Sequence, residues 1–310
     1  MQPIIAFPAL AGMTYPQLEE RVLMRILPDL KDIPGLPEAD RAAVHVVMTS
    51  ATRGCTDEIA AALPNLGLVI SQGAGNDRID VTALRQRGIQ VRCVGEALTD
   101  DVADLAMALT HMISRGLVRA DAFARSGAWQ KGRFEVGDSL VGMTMGIAGL
   151  SGRIGQAIAT RARASRMKIA SLARSSNEGL DASLYDGWQA LAQASDVLVL
   201  AVPGSADLKH VIGAPELAAL GPKGRLVNVG RGTLVDTGAL IDALENGTIA
   251  GAALDVLDTE PVVPDRLAAL PNLVLTPHIG GQTWGHRARA ARIAEDEVIA
   301  FLKARNVWAA

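Results

Sequence analysis

Met145-Gly146-Ile147-Ala148-Gly149-Leu150-Ser151-Gly152-Arg153-Ile154-Gly155-Gln156-Ala157-Ile158 is the stretch whose reading decides the fold. An apolar run enters glycines and leaves directly into an amphipathic pattern. Strand, glycine-rich turn and helix in that order present backbone amides to a phosphate. Glycine lets the chain turn tightly and approach the anion, and the helix start adds unsatisfied N–H groups and the positive end of its dipole. The spacing Gly149-x-x-Gly152-x-x-Gly155 is one residue longer than the usual G-x-G-x-x-G. Gly149, Ser151, Gly152, Arg153, Ile154 and Gly155 are therefore the expected pyrophosphate contacts.

Outward from this stretch, short apolar runs alternate with helical patterns. Runs at 44–49, 67–71, 89–94, 145–149, 168–173, 197–202, 225–229, 249–254 and 273–276 read as strands. Most are continuously apolar, as parallel strands covered on both faces should be. Helical patterns at 153–165, 187–194 and 237–246 lie between them. The alternation predicts an α/β fold of doubly wound parallel sheets. Two long helical patterns, 99–125 and 283–303, bracket the middle of the chain. Thr99 reads as the N-cap of the first, with Asp100 and Asp101 in its first turn. This division predicts two domains: 1–98 plus 283–310, discontinuous, and 99–282.

Composition removes whole classes of function. The chain has 310 residues, a formal net charge of −3, 49% hydrophobic and only 3% aromatic residues. No basic field recruits nucleic acid or an anionic membrane surface. No apolar run reaches the ~18–20 residues of a membrane helix. Cys55 and Cys93 cannot form a disulfide framework. His45, His111, His210 and His286 lack ligand spacing, so no metal is expected. The opening residues Met1 to Pro8 lack the basic and apolar regions of a secretory leader, so a cytoplasmic protein is expected.

The second strand of the nucleotide fold reports on the cofactor. An NAD site places an acid about 20 residues beyond the glycine loop. Here the window is Ser171-Leu172-Ala173-Arg174-Ser175-Ser176-Asn177, with no acid before Glu178. Arg binds phosphate bidentately and serine donates to it. Arg174 and the two hydroxyls of Ser175 and Ser176 therefore point to the 2′-phosphate of NADP rather than to NAD.

Three later segments place polar residues beside apolar strands: Asn228-Val229-Gly230-Arg231-Gly232, Leu254-Asp255-Val256 with Glu260-Pro261, and Pro277-His278-Ile279-Gly280-Gly281. Arg231 between glycines can clamp a carboxylate. His278 can give a proton to a carbonyl oxygen, with Glu260 raising its pKa and holding its tautomer. Taken singly, each has a plain structural reading: a satisfied histidine, a bridging arginine, a turn-capping glutamate. Trp129 and Trp284 suit a pocket lining or a dimer contact as well as they suit ordinary packing. Thr52 and Arg53 follow a strand end and are weaker candidates.

In combination, these segments resemble the NAD(P)-dependent D-2-hydroxyacid dehydrogenases. Gln72-Gly73-Ala74-Gly75-Asn76-Asp77-Arg78-Ile79-Asp80 and Asp196-Val197-Leu198-Val199-Leu200-Ala201-Val202-Pro203 fit the same family. The resemblance runs from about residue 45 to 290, and the departure from the family pattern is the extra residue Ser151. It implies two Rossmann- or flavodoxin-like domains closing over a cleft, the discontinuous one binding substrate and the other binding dinucleotide. It implies Arg231 on the 2-keto-acid carboxylate and carbonyl, and His278 as acid/base paired with Glu260. Asp255 would hold the nicotinamide carboxamide, and Val202 and Pro203 the adenine. Val229, Gly230, His278 and Gly280 would border the cofactor. Gly73, Ala74 and Gly75 would hold the substrate carboxylate through backbone N–H groups, which a glycine turn after an apolar strand presents readily.

The expectation is thus an NADPH-dependent reductase of a small 2-keto acid, glyoxylate or hydroxypyruvate first, giving the D-2-hydroxy acid, and a homodimer as in relatives. NAD as cofactor is the lesser alternative. A larger or aromatic keto acid is the alternative substrate. A dinucleotide-sensing, corepressor-like binding protein is the alternative outside enzymology.

Overall fold

The computed structural model describes residues 4–8 and 13–308. Met1–Pro3, part of the opening stretch weighed above as a leader, lie outside the described residues. The chain divides into two compact units, Met1–Leu98 with Gly281–Ala310, and Thr99–Gly280.

The first unit holds five parallel strands: β1 (Ile4–Pro8), β2 (Leu23–Leu27), β3 (Val44–Thr49), β4 (Leu68–Ser71) and β5 (Gln90–Cys93), in the order β2-β1-β3-β4-β5. β3 and β4 are buried almost throughout, which is why their runs are continuously apolar. β1 and β2 were not among the expected strands. β2 is an edge strand whose Leu23 and Ile26 face solvent, and Arg25 within it pairs with Asp40. The helix Trp284–Ala304 returns to this unit, where Ala290, Ala291, Ala294, Val298, Phe301 and Leu302 share a core with Ile5, Val46, Met48, Leu68 and Ile70.

The second unit holds seven parallel strands: β6 (Thr144–Ala148), β7 (Lys168–Leu172), β8 (Ser183–Tyr185), β9 (Val197–Leu200), β10 (Arg225–Asn228), β11 (Gly251–Leu254) and β12 (Leu273–Leu275). Their order is β12-β11-β10-β9-β6-β7-β8. The sheet grows one way from β6 through β7 to β8, then the other way from β9. That reversal beside β6 is the topological switch point, and ligands of such sheets bind outside the carboxyl ends of the strands there. β9, β10 and β11 are buried at every position and supply much of the unit's core.

Three details differ from the sequence reading. The pattern 99–125 is two helices, Thr99–Arg115 and Leu117–Arg125, because Gly116 adopts φ +58° between them. Thr99 is not an N-cap. A 3-10 turn, Gly95–Leu98, runs straight into the helix, and the Thr99 hydroxyl is buried without a partner. The unit boundary falls at Gly280/Gly281 rather than 282/283. The His286 ring hydrogen-bonds the Gly281 carbonyl, and Gly281 lies against Leu98 and that ring, so it packs with the first unit. Among the described residues no helix is long and apolar enough to cross a membrane.

Candidate active site

The loops at the carboxyl edge of the seven-stranded sheet carry most of the singled-out residues. After β6 the chain turns at Gly149, with φ +95°. The Gly152 N–H closes the turn on the Gly149 carbonyl at 3.0 Å, and Gln156 Nε2 donates to the Leu150 carbonyl at 2.7 Å. A Cβ at Gly149 would stand 2.7 Å from the Ala201 carbonyl, and one at Gly155 would overlap the Gly149 carbonyl. Both glycines are thus required for strand and helix to pack. The lengthened loop stays a closed turn, and the helix Arg153–Ala164 begins behind it with no side-chain cap at Gly152. The N–H groups of such a first turn have no intrahelical acceptor. A cradle of this shape fits a dinucleotide pyrophosphate.

Beside it, after β7, stand Arg174, Ser175 and Ser176, all exposed. The loop is anchored from below by buried Asn177, whose Nδ2 donates to Ser171 Oγ at 3.1 Å and to the Leu172 carbonyl at 2.9 Å. Ser151 Oγ reaches across to Ser176 Oγ at 3.2 Å. No acid occupies this strand end. After β9, Val202 packs against the core and Pro203 is exposed.

After β10, Asn228 is fully buried and ties down the Arg231 loop. Its Nδ2 donates to the Arg231 carbonyl at 2.9 Å, and its Oδ1 accepts from the Gly230 N–H at 3.0 Å. Val229 and Gly230 are buried beneath, and a Cβ at Gly230 would come within 2.7 Å of the Val202 carbonyl. Arg231 is half-buried, with Nη1 on the Gly230 carbonyl at 2.8 Å. Gly232 has no room for a side chain, since a Cβ would overlap the Leu257 backbone. The Arg231 loop is therefore pressed against the loop that leads to Glu260.

Asp255, 3% exposed, clasps the next loop. Its Oδ1 accepts from Thr276 Oγ1 at 2.6 Å and from the Ile279 N–H at 2.8 Å; its Oδ2 accepts from the Gly280 N–H at 2.9 Å. Its own carbonyl accepts from the His278 N–H at 2.9 Å. Between these ties His278 adopts φ +54° and sets Nδ1 2.9 Å from Glu260 Oε2. Glu260 is held in turn, because its Oε1 accepts from the Leu257 N–H at 2.8 Å. With a carboxylate at Nδ1, that nitrogen carries the ring proton and Nε2 does any proton exchange with a ligand.

The first unit has a candidate of its own. Gly73-Ala74-Gly75 follows β4. Ser71 Oγ donates to the Gly75 carbonyl at 2.8 Å, and buried Gln72 donates from Nε2 to the Tyr15 oxygen at 2.8 Å. Burial pushes the Tyr15 hydroxyl above its ordinary pKa, so it stays neutral under this loop.

Arg231, Asp255, Glu260 and His278 thus form one linked set of loops, and the glycine turn and Arg174 loop adjoin through Ser151. Three supporting residues were not assigned from the sequence: Asn228, Thr276 and Gln72. The signal available was a polar residue at the last position of a buried strand or just beyond it, which needs a partner.

The family model for D-isomer specific 2-hydroxyacid dehydrogenase, NAD binding domain, matches residues 107–280. A glyoxylate/hydroxypyruvate reductase of Arabidopsis thaliana is 41% identical over 248 residues, 80% of this chain and 79% of the relative. A 2-ketogluconate reductase of Gluconobacter oxydans is 40% identical over 259 residues, 84% of this chain and 83% of the relative. The crystal structure of an NADPH-dependent glyoxylate/hydroxypyruvate reductase from Sinorhizobium meliloti, in complex with NADP and malonate, superposes with a TM-score of 0.86. It is 36% identical, covering 97% of this chain and 94% of that one.

Proposed function

The chain belongs to the D-isomer specific 2-hydroxyacid dehydrogenase family, and on that premise we propose that it reduces a small 2-keto acid of the glyoxylate or hydroxypyruvate type to the D-2-hydroxy acid, with NADPH as preferred reductant. The observation that carries this reading is the His278–Glu260 pair at 2.9 Å, on loops that Asp255 and Gly232 hold against their neighbours. The relatives' names and the S. meliloti complex with NADP support the substrate class and the cofactor.

When bound, the reduced nicotinamide supplies a hydride. The chain's own residues do the rest. Arg231 offers a fork of N–H donors that fits a carboxylate and polarises the adjoining carbonyl. The Ala74 and Gly75 amides, presented by the Gly73 turn, are donors suited to a carboxylate. His278 donates a proton from Nε2 to the carbonyl oxygen as negative charge develops there. Glu260 at Nδ1 keeps the ring in register and fixes its tautomer. The backbone of Gly149, Ser151, Gly152, Arg153, Ile154 and Gly155 holds the pyrophosphate, and the side chains of Arg174 and Ser175 hold the 2′-phosphate. Val202 and Pro203 flank the adenine, and Val229, Gly230 and Gly280 border the nicotinamide end. Asp255 accepts three donors already; a carboxylate has about four acceptor positions, which leaves one for the carboxamide.

The functional protein is a homodimer in this reading. Helix Leu117–Arg125 buries none of its residues, and the segment after it exposes Trp129 at 71% and Val136 at 99%. A second copy would cover this apolar surface. The two free thiols, Cys55 and Cys93, suit the reducing cytoplasm.

Consumption of NADPH and NADH by the purified protein over glyoxylate, hydroxypyruvate, pyruvate, phenylpyruvate and 2-ketogluconate tests the proposal. Fastest turnover with NADPH and one of the first two acids is expected. Faster turnover with phenylpyruvate or 2-ketogluconate would move the substrate class. No turnover with any acid despite NADPH binding would overturn the proposal.

A further inference from the structure

Ser151 is the residue that lengthens the glycine turn, and the fold has no evident need of it. The turn closes through Gly149 and Gly152, and the packing contacts are made by Gly149 and Gly155. What Ser151 adds is one side-chain contact. Its Oγ lies 3.2 Å from Ser176 Oγ and donates to it, although the two residues are 25 apart in the chain. Ser176 stands two positions beyond Arg174, in the 3-10 turn Ser175–Asn177 that buried Asn177 anchors. That turn is exposed at Arg174, Ser175 and Ser176.

A hydroxyl that accepts a hydrogen bond becomes the better donor, and its own proton is turned away from the group it accepts from. Ser151 therefore leaves the Ser176 proton to an outside acceptor, beside a guanidinium and a second hydroxyl. The acceptor that suits two hydroxyls and an arginine is a phosphate dianion; the first acid along the chain, Glu178, comes only after the turn.

We propose that Ser151 is a specificity-determining residue for the cofactor: by orienting Ser176, the longer glycine turn couples the pyrophosphate cradle to the 2′-phosphate of NADPH. Ser176 is the contact, and Ser151 the positioning residue behind it. The inference rests on the NADPH reading above.

Equilibrium binding without keto acid separates the possibilities. NADPH, NADH and the fragment adenosine 2′,5′-bisphosphate are titrated into the wild type, Ser151→Ala, Ser151→Thr, Ser176→Ala and the double alanine variant. One lost hydrogen bond to a charged group corresponds to roughly 5–10-fold in affinity. Each alanine variant should weaken NADPH and the bisphosphate by about that factor and leave NADH within about twofold. The double variant should be no weaker than the worse single one, and Ser151→Thr should keep the wild-type preference. A Ser151→Ala variant that loses NADPH and NADH equally, or loses neither, would overturn the inference while leaving the NADPH reading standing. A wild type that binds NADH as tightly as NADPH would overturn both.

Discussion

The two units are built on the same plan and equipped in opposite ways. Each is a parallel sheet with loops at its carboxyl edge, one in the order β2-β1-β3-β4-β5 and the other β12-β11-β10-β9-β6-β7-β8. In the second unit those loops carry polar side chains that hold the loops in place: Asp255 grips the His278 loop, Glu260 meets the ring, and Asn228 fixes the Arg231 backbone. In the first, Gly73-Ala74-Gly75 offers backbone, supported by Ser71 and Gln72 from beneath. A shared scaffold decides where a ligand can bind, and the loop chemistry decides what is done to it. In the proposed function one unit moves a proton and the other only holds.

That contrast can be broken most sharply at His278. His278→Gln should lower kcat by about 10²–10⁴-fold while the NADPH dissociation constant stays unchanged. A parallel loss of NADPH binding would make the ring a structural group. Asp255→Asn is the next largest. It sets an N–H₂ group against donors that now meet a carboxylate oxygen, at a cost of roughly 1–3 kcal/mol. Both melting temperature and kcat should fall, kcat by about tenfold or more. An unchanged kcat would show that the clasp does not govern the His278 ring.

The glycines sharpen the comparison. Gly232→Ala in the second unit drives a methyl into the Leu257 backbone and should cost about 1–3 kcal/mol of stability by overpacking. Gly73→Ala in the first meets nothing within 4 Å, so its melting temperature should match the wild type. If both behave alike, the loops of the two units are equally tolerant and the contrast fails.

The smallest effect lies in the first unit. Burial, aided by Arg305, holds the His45 ring below its ordinary pKa. The unfolded chain then takes up the proton first, so stability should be intact above about pH 6.5 and fall as pH drops below it. Urea midpoints at pH 7 and pH 5 should differ less for His45→Gln than for the wild type.

Much of this was readable in the chain because burial writes itself into composition. β9, β10 and β11 have both faces covered, so Val197–Leu200, Arg225–Asn228 and Gly251–Leu254 were found as strands. β2 is an edge strand with Leu23 and Ile26 in solvent, and β8 is only three residues long, so neither had such a signature. Thr99 looked like a cap because local preference favours threonine there, but the preceding 3-10 turn left no helix start to cap. Arg231, Glu260 and His278 stand out by residue type and order, and the structure pairs Glu260 with His278. Thr276 and Gln72 were passed over because their hydrogen bonds go to Asp255 and Tyr15, residues distant in the chain, which no local pattern encodes; Asn228 was passed over because its partners are backbone groups of the loop it opens.

The interruption of the first unit has a consequence for synthesis. Its core is completed by Ala290, Ala294, Val298, Phe301 and Leu302 of the helix Trp284–Ala304, so β1 to β5 leave the ribosome long before the surface that covers them. The second unit, contiguous from Thr99 to Gly280, is whole by then. Domains generally fold as they are completed during synthesis. Here β1 to β5 precede Thr99–Gly280 in synthesis but are completed after it, and Ile5, Met48 and Ile70 keep part of their face uncovered until the helix Trp284–Ala304 is translated.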